Sequence, residues 1–172
     1  MNGSDPKGYN TLMSDVDEIA KQLKRLSDAD VPVLFRPLHE ASGGWFWWGA
    51  DGSEAYKKLW QAIYDKLTNE YKLDNIIWVW NGQAANWYPG DEYVDIIGED
   101  IYPGTRDYSA QSSKYLEATD YSPNGKIVAL TENGCLFDLD KAFDANTAWS
   151  YFGTWSGEFC ISSSEKYTEK SM

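Results

Sequence analysis

The most restrictive feature of this sequence is a recurring unit in which a short apolar run ends in polar residues and gives way to a helical pattern. The runs are Val31-Pro-Val-Leu-Phe-Arg-Pro-Leu38, Ile76-Ile-Trp-Val-Trp80, Val94-Asp-Ile-Ile-Gly98, Ile127-Val-Ala-Leu130 and the segment from Trp149 to Trp155. Their length and composition predict buried strands, with Pro32 and Pro37 tolerable near the ends of the first. Leu12, Val16, Ile19, Leu23 and Leu26 recur at helical spacing, as do Tyr56, Leu59, Ile63 and Leu67, the latter with Asp51 and Ser53 as candidate caps. Further helices are predicted around Ser112–Thr119 and Asp140–Asn146. Strands alternating with helices imply an α/β fold with a parallel sheet, and in a (β/α)8 barrel the functional residues gather at the C-terminal strand ends. Those ends carry His39-Glu40, Asn81, Asp100 and Tyr102, Thr131-Glu132-Asn133, and Trp155. The interval from Trp80 to Val94 is short for a crossover helix, so one repeat is degenerate. Five strands do not close an eight-stranded barrel, so a partial (β/α)8 barrel is expected.

Charge and composition narrow the partners. A formal net charge of -12 repels nucleic acid phosphates and anionic lipid, and a mean hydropathy of -0.56 argues against a membrane span. A neutral polysaccharide fits, and the nine Trp and twelve Tyr provide flat rings suited to sugar faces as well as to packing. Cys135 and Cys160 allow either a single bridge or two separate thiols, and no four-cysteine zinc site. Met1 to Asn10 has no apolar stretch of the kind a signal peptide needs, which leaves a cytoplasmic protein or a secreted one whose start is missing.

The segment Phe35-Arg-Pro-Leu-His-Glu-Ala-Ser-Gly-Gly-Trp-Phe-Trp-Trp-Gly49 resembles the acid/base motif of glycoside hydrolase family 26. Ile77-Trp-Val-Trp-Asn81, Trp87-Tyr-Pro-Gly-Asp91, Val94-Asp-Ile-Ile-Gly-Glu-Asp-Ile-Tyr102 and Leu130-Thr-Glu-Asn-Gly134 continue the likeness in family order, from about Leu12 to Cys160. The resemblance implies roughly strands 4 to 8 of the barrel, with the first three absent. Residues 1–160 are then an incomplete catalytic domain, and 161–172 a polar tail or truncated last helix. It also implies a secreted parent, no cofactor and no metal, and retaining cleavage of β-1,4-mannan. Some relatives cut mixed-linkage β-glucan or β-1,3-xylan instead. The alternatives are a β-1,3-1,4-glucanase of the same family and a non-catalytic carbohydrate-binding half barrel. Open barrel edges would favour self-association and weak activity of the isolated chain.

Retaining cleavage needs one carboxyl to protonate the leaving oxygen and a second to attack the anomeric carbon. Glu40 matches the family's acid/base and Glu132 its nucleophile. Arg36 lies four positions before Glu40, so on a regular strand both face one side, where Arg36 serves the carboxylates or makes an edge salt bridge. His39, beside the acid/base, is either a sugar contact or a buried hydrogen-bonding group. Tyr102 resembles the tyrosine that hydrogen-bonds the nucleophile, and Asp100 a neighbouring site residue or a loop cap. Trp45 and Trp155 match rings that flank the cleavage point, while Trp47, Trp48 and Trp87 are expected in wall or core. Ser156 stands where some family mannanases carry arginine.

Overall fold

The computed structural model describes residues 5–159. These fall into two compact units, one running through Gly82 with Asn86–Asp95 added, the other comprising Gln83–Ala85 and the chain from Ile96 onward. The predicted tail 161–172 and Cys160 lie outside the described residues, among which no helix is long and apolar enough to cross a membrane.

In the first unit, helix α1 (Pro6–Ser27) starts at Asp5, whose carboxylate accepts from the Gly8 amide at 2.9 Å, with Pro6 in the first turn where no amide donor is needed. Lys24 and Arg25 in its last turn complement the helix dipole. Val16, Ala20 and Leu23 form the buried stripe, while Ile19 and Leu26 stay exposed, so the face is narrower than the apolar spacing predicts. Strand β1 (Val33–Phe35) is shorter than the expected Val31–Leu38. Pro32 and Pro37 offer no amide to a ladder, and Leu38 has a left-handed backbone at φ 54°. Helix α2 (Ser53–Tyr64) follows and runs on into a π-turn at Asp65–Glu70. Neither Asp51 nor Ser53 caps it: Gly52 holds the cap position at φ 83°, and no side chain bonds there. Tyr56, Leu59, Trp60, Ile63 and Leu67 are buried. Strand β2 (Ile76–Trp80) pairs in parallel with β1, Val33 opposite Ile76 and Phe35 opposite Trp78. Trp60 and Tyr64 from α2 pack on Trp78 with ring centroids 5.8 and 5.0 Å away.

No crossover helix follows β2. The chain makes two 3-10 turns instead, Ala85–Trp87 and Asp91–Tyr93. The second unit holds strands β3 (Ile96–Ile101), β4 (Ile127–Asn133) and β5 (Phe152–Thr154), β4 pairing in parallel with both others. Helix α3 (Ser112–Thr119) connects β3 to β4, and the short helix α4 (Leu139–Asp144) connects β4 to β5, its first turn capped by the Asp138 carboxylate. Each of these connections joins parallel strands, as the alternation of patterns requires. Trp149 donates from its indole to the Ala110 carbonyl at 3.0 Å and meets the Tyr115 ring edge-on, which fixes the approach to β5.

Candidate functional site

Glu40 sits five residues past the end of β1, on a turn rather than on the strand. Its backbone is left-handed at φ 53°, as is that of Leu38 at φ 54°, a conformation that bulky residues rarely adopt and that clusters at functional sites. The two reversals break the strand alternation, so the shared face expected for Arg36 and Glu40 does not follow from their spacing. Asn81, fully buried just past β2, secures this turn. Its carbonyl accepts from the Glu40 amide at 2.7 Å, and its side-chain oxygen accepts from Arg36 Nη1 at 2.5 Å. Arg36 thereby ties the turn to the end of β2.

The Glu40 carboxylate accepts from the Trp45 indole at 3.0 Å. Gly43 makes this possible, since a Cβ there would lie 2.0 Å from the Trp45 ring. The Trp45 face is 64% exposed, as a sugar-stacking ring needs to be. Trp47, expected in wall or core, is 62% exposed. Trp48 is half-buried: its ring stacks on Phe46 at 4.3 Å and its indole donates to the His39 carbonyl at 2.8 Å. The His39 imidazole lies against Phe46 and Trp48, with ring centroids 4.8 and 5.8 Å away.

In the second unit, Glu132 is near the end of β4 and only 7% exposed. A buried carboxylate needs hydrogen-bond donors, and the Tyr102 hydroxyl donates to Glu132 Oε2 at 2.6 Å. Gly134 leaves room for this phenol, since a Cβ there would come within 2.6 Å of the Tyr102 ring. Asp100, also buried, accepts from the Thr131 hydroxyl at 2.6 Å, and its amide donates to Gln83 Oε1 at 2.7 Å. Asp100 is therefore part of a side-chain network inside β3, not a loop cap. The Trp155 amide donates to the Asn133 carbonyl at 2.9 Å, which anchors this residue and leaves its indole half exposed.

Of the residues singled out in the sequence, Arg36, His39, Glu40 and Trp45 gather in the first unit, and Asp100, Tyr102, Glu132 and Trp155 in the second. Asn81, Gln83 and Thr131 are structural contributors outside the candidate site residues. Asn81 and Thr131 stood at predicted strand ends, while Gln83 had no such signal. Cys135 is buried, which raises its thiol pKa and keeps it protonated.

One further carboxyl lies on the opposite face of β3. Glu99 is 2% exposed, and burial pushes its pKa up to about 7 against the smaller opposing effects of the Tyr121 hydroxyl and Lys114.

The profile of glycosyl hydrolase family 26 matches residues 1–170. A mannan endo-1,4-beta-mannosidase of Thermothelomyces thermophilus is 44% identical over 161 residues, 92% of this chain and 33% of that protein. The crystal structure of the Podospora anserina GH26-CBM35 beta-(1,4)-mannanase superposes with a TM-score of 0.88 at 43% identity, covering 94% of this chain and 36% of that one. A beta-mannanase from a symbiotic protist of the termite Reticulitermes speratus, solved with a gluco-manno-oligosaccharide, gives 0.86 at 40% identity, covering 92% and 48%. The chain thus spans about a third of the length of the first relative and about half or less of the structures it matches. Its fold is that of part of a (β/α)8 barrel.

Proposed function

Because this chain belongs to glycosyl hydrolase family 26, we propose that it carries the catalytic carboxyls of a retaining endo-β-1,4-mannanase, with Glu40 as acid/base and Glu132 as nucleophile. The observation that carries this reading is the buried Glu132 carboxylate held by Tyr102 at 2.6 Å. A nucleophile must be fixed in direction before the substrate arrives, and a phenol donor on one oxygen does this without adding a competing charge. Glu40 meets a different demand. An acid/base must exchange protons with the leaving oxygen and later with water, so a half-buried position with a single indole donor suits it.

The reaction divides into two displacements. Glu132 attacks the anomeric carbon while Glu40 gives its proton to the glycosidic oxygen, and the leaving chain departs. Water then attacks the anomeric carbon of the glycosyl ester from the face the leaving chain vacated, Glu40 takes its proton, and Glu132 is released. The exposed Trp45 and Trp155 rings offer stacking surfaces for the sugars on either side. Mannan or glucomannan is the proposed substrate, supported by the relatives named as mannanases.

The test is a chimaera in which residues 1–170 replace the matching segment of the Thermothelomyces relative. It is expected to release reducing ends from mannan, and Glu132→Ala in that background to abolish this. A folded chimaera that hydrolyses mannan equally well with Glu132→Ala contradicts the reading.

A further inference from the structure

The pairing of β4 breaks at one residue. Ile96 to Glu99 of β3 lie opposite Ile127 to Leu130, but Asp100 then faces Glu132 and Ile101 faces Asn133. The same slip appears on the other side, where Leu130 pairs with Phe152 and Asn133 with Thr154. Thr131 is thus one residue more than either neighbour accommodates, a β-bulge in β4. The consequence is directional. In an unbroken strand, consecutive side chains point to opposite faces. Here both Thr131 and Glu132 reach the same face, since Thr131 bonds Asp100 and Glu132 bonds Tyr102, two residues on from Asp100. Without the bulge, one of the two would turn away.

Three features hold the bulge. Gly98 provides space, because a Cβ there would lie 2.6 Å from Thr131 Cγ2. The Thr131 hydroxyl lies 2.6 Å from Asp100 Oδ1, to which it donates, and 3.1 Å from the Glu99 carbonyl. The Asp100 amide, at the slip itself, donates to Gln83 Oε1 at 2.7 Å. A side-chain carbonyl thereby does what a strand carbonyl does in a longer ladder, and the amide of a buried residue requires such an acceptor. Gln83 reaches it from a left-handed backbone at φ 60°, an unusual conformation for a residue with no structural duty.

We infer that Gln83 is a positioning residue for Glu132, acting through the Asp100 main chain and the bulge at Thr131. Its catalytic meaning rests on Glu132 being the nucleophile; its geometry does not. Gln83→Leu keeps the volume and removes the oxygen that accepts from the Asp100 amide. Gln83→Glu keeps an acceptor oxygen at the same reach. Gln83→Asn keeps the amide but shortens the side chain by one methylene.

The experiment compares the chain with these three variants by NMR at one pH. It reads Asp100 amide exchange, the 13Cδ shift of Glu132 and the 13Cζ shift of Tyr102, beside the thermal midpoint. In Gln83→Leu and Gln83→Asn, Asp100 exchange should rise about tenfold or more, and the Glu132 and Tyr102 signals should move together. Gln83→Glu should restore all three to near the parent values. If Leu prevents folding, the Asn and Glu variants are held to the same outcomes. Asp100 exchange that does not change, or a lower thermal midpoint with Glu132 and Tyr102 unmoved, overturns the inference. Failure of the mannanase reading would appear separately, as turnover in the Glu132→Ala chimaera.

Discussion

The Tyr102 hydroxyl donates to Glu132 Oε2 across 2.6 Å, joining the residue just beyond β3 to the end of β4. A hydrogen bond to a charged group is worth about 1.5–3 kcal/mol. In the chimaera, Tyr102→Phe should therefore lower kcat/KM on mannooligosaccharides by about 10- to 100-fold. A loss under twofold would show that this phenol does not support the proposed nucleophile.

Glu40 is predicted to act on the leaving group, so its removal should be felt according to leaving-group quality. Glu40→Ala in the chimaera should cost about 10²–10⁴-fold on mannan. It should cost far less in the glycosylation step with a dinitrophenyl mannoside, whose leaving group needs no proton. Pre-steady-state release of dinitrophenol checks this, and an equal loss on both substrates would remove Glu40 from the acid role.

Glu99 makes a pH prediction. Its pKa in the folded chain is pushed up to about 7, against 4.5 for the ordinary group. At acid pH the carboxyl is protonated in both states and burial costs nothing through ionisation. As pH rises from 4.5 to 7 the unfolded chain ionises first, so stability falls, and above about 7 the full penalty remains. The loss is at most about 3 kcal/mol. Urea midpoints should drop between pH 5 and pH 8, and Glu99→Gln should flatten that drop. An identical pH dependence in the variant would exclude Glu99 as its source.

The second unit leaves Phe143 80% exposed, with Leu116, Leu139 and Phe152 also exposed. Burying a side chain of this kind gains about 1.5–3 kcal/mol, and association is one way to cover it. Light scattering after size exclusion should give a mass above 19.5 kDa that rises with concentration, and Phe143→Ser with Leu139→Ser should lower it. A constant monomer mass at every concentration would contradict self-association.

The repeat pattern read from the apolar runs survives in the structure at β2, which covers Ile76–Trp80, and at α3, which covers Ser112–Thr119, as predicted. It fails where polar groups are buried. Hydrophobicity stops β3 at Gly98 and β4 at Leu130, yet both strands continue through Glu99-Asp100 and Thr131-Glu132-Asn133. These residues remain in the strands because most of their polar atoms find partners inside the fold, which an apolar count does not register. The first strand errs the other way, since apolar content suggested eight residues where two prolines and the left-handed Leu38 allow three. Resemblance to family motifs singled out Glu40, Tyr102 and Glu132. Gln83 and the bulge at Thr131 were not legible, because they depend on contacts 17 and 31 residues apart in the chain and leave no local signal.

The most direct measurement is covalent trapping. A 2-deoxy-2-fluoro mannoside with a good leaving group slows the second displacement more than the first, so a retaining enzyme accumulates its glycosyl ester. Incubating the chimaera with this reagent and mapping the product by peptide mass spectrometry should locate one fluoromannosyl group on the peptide containing Glu132, and none in Glu132→Ala. A label on another carboxylate, or no label on a chimaera that hydrolyses mannan, would contradict the assignment of Glu132 as the nucleophile of a retaining reaction.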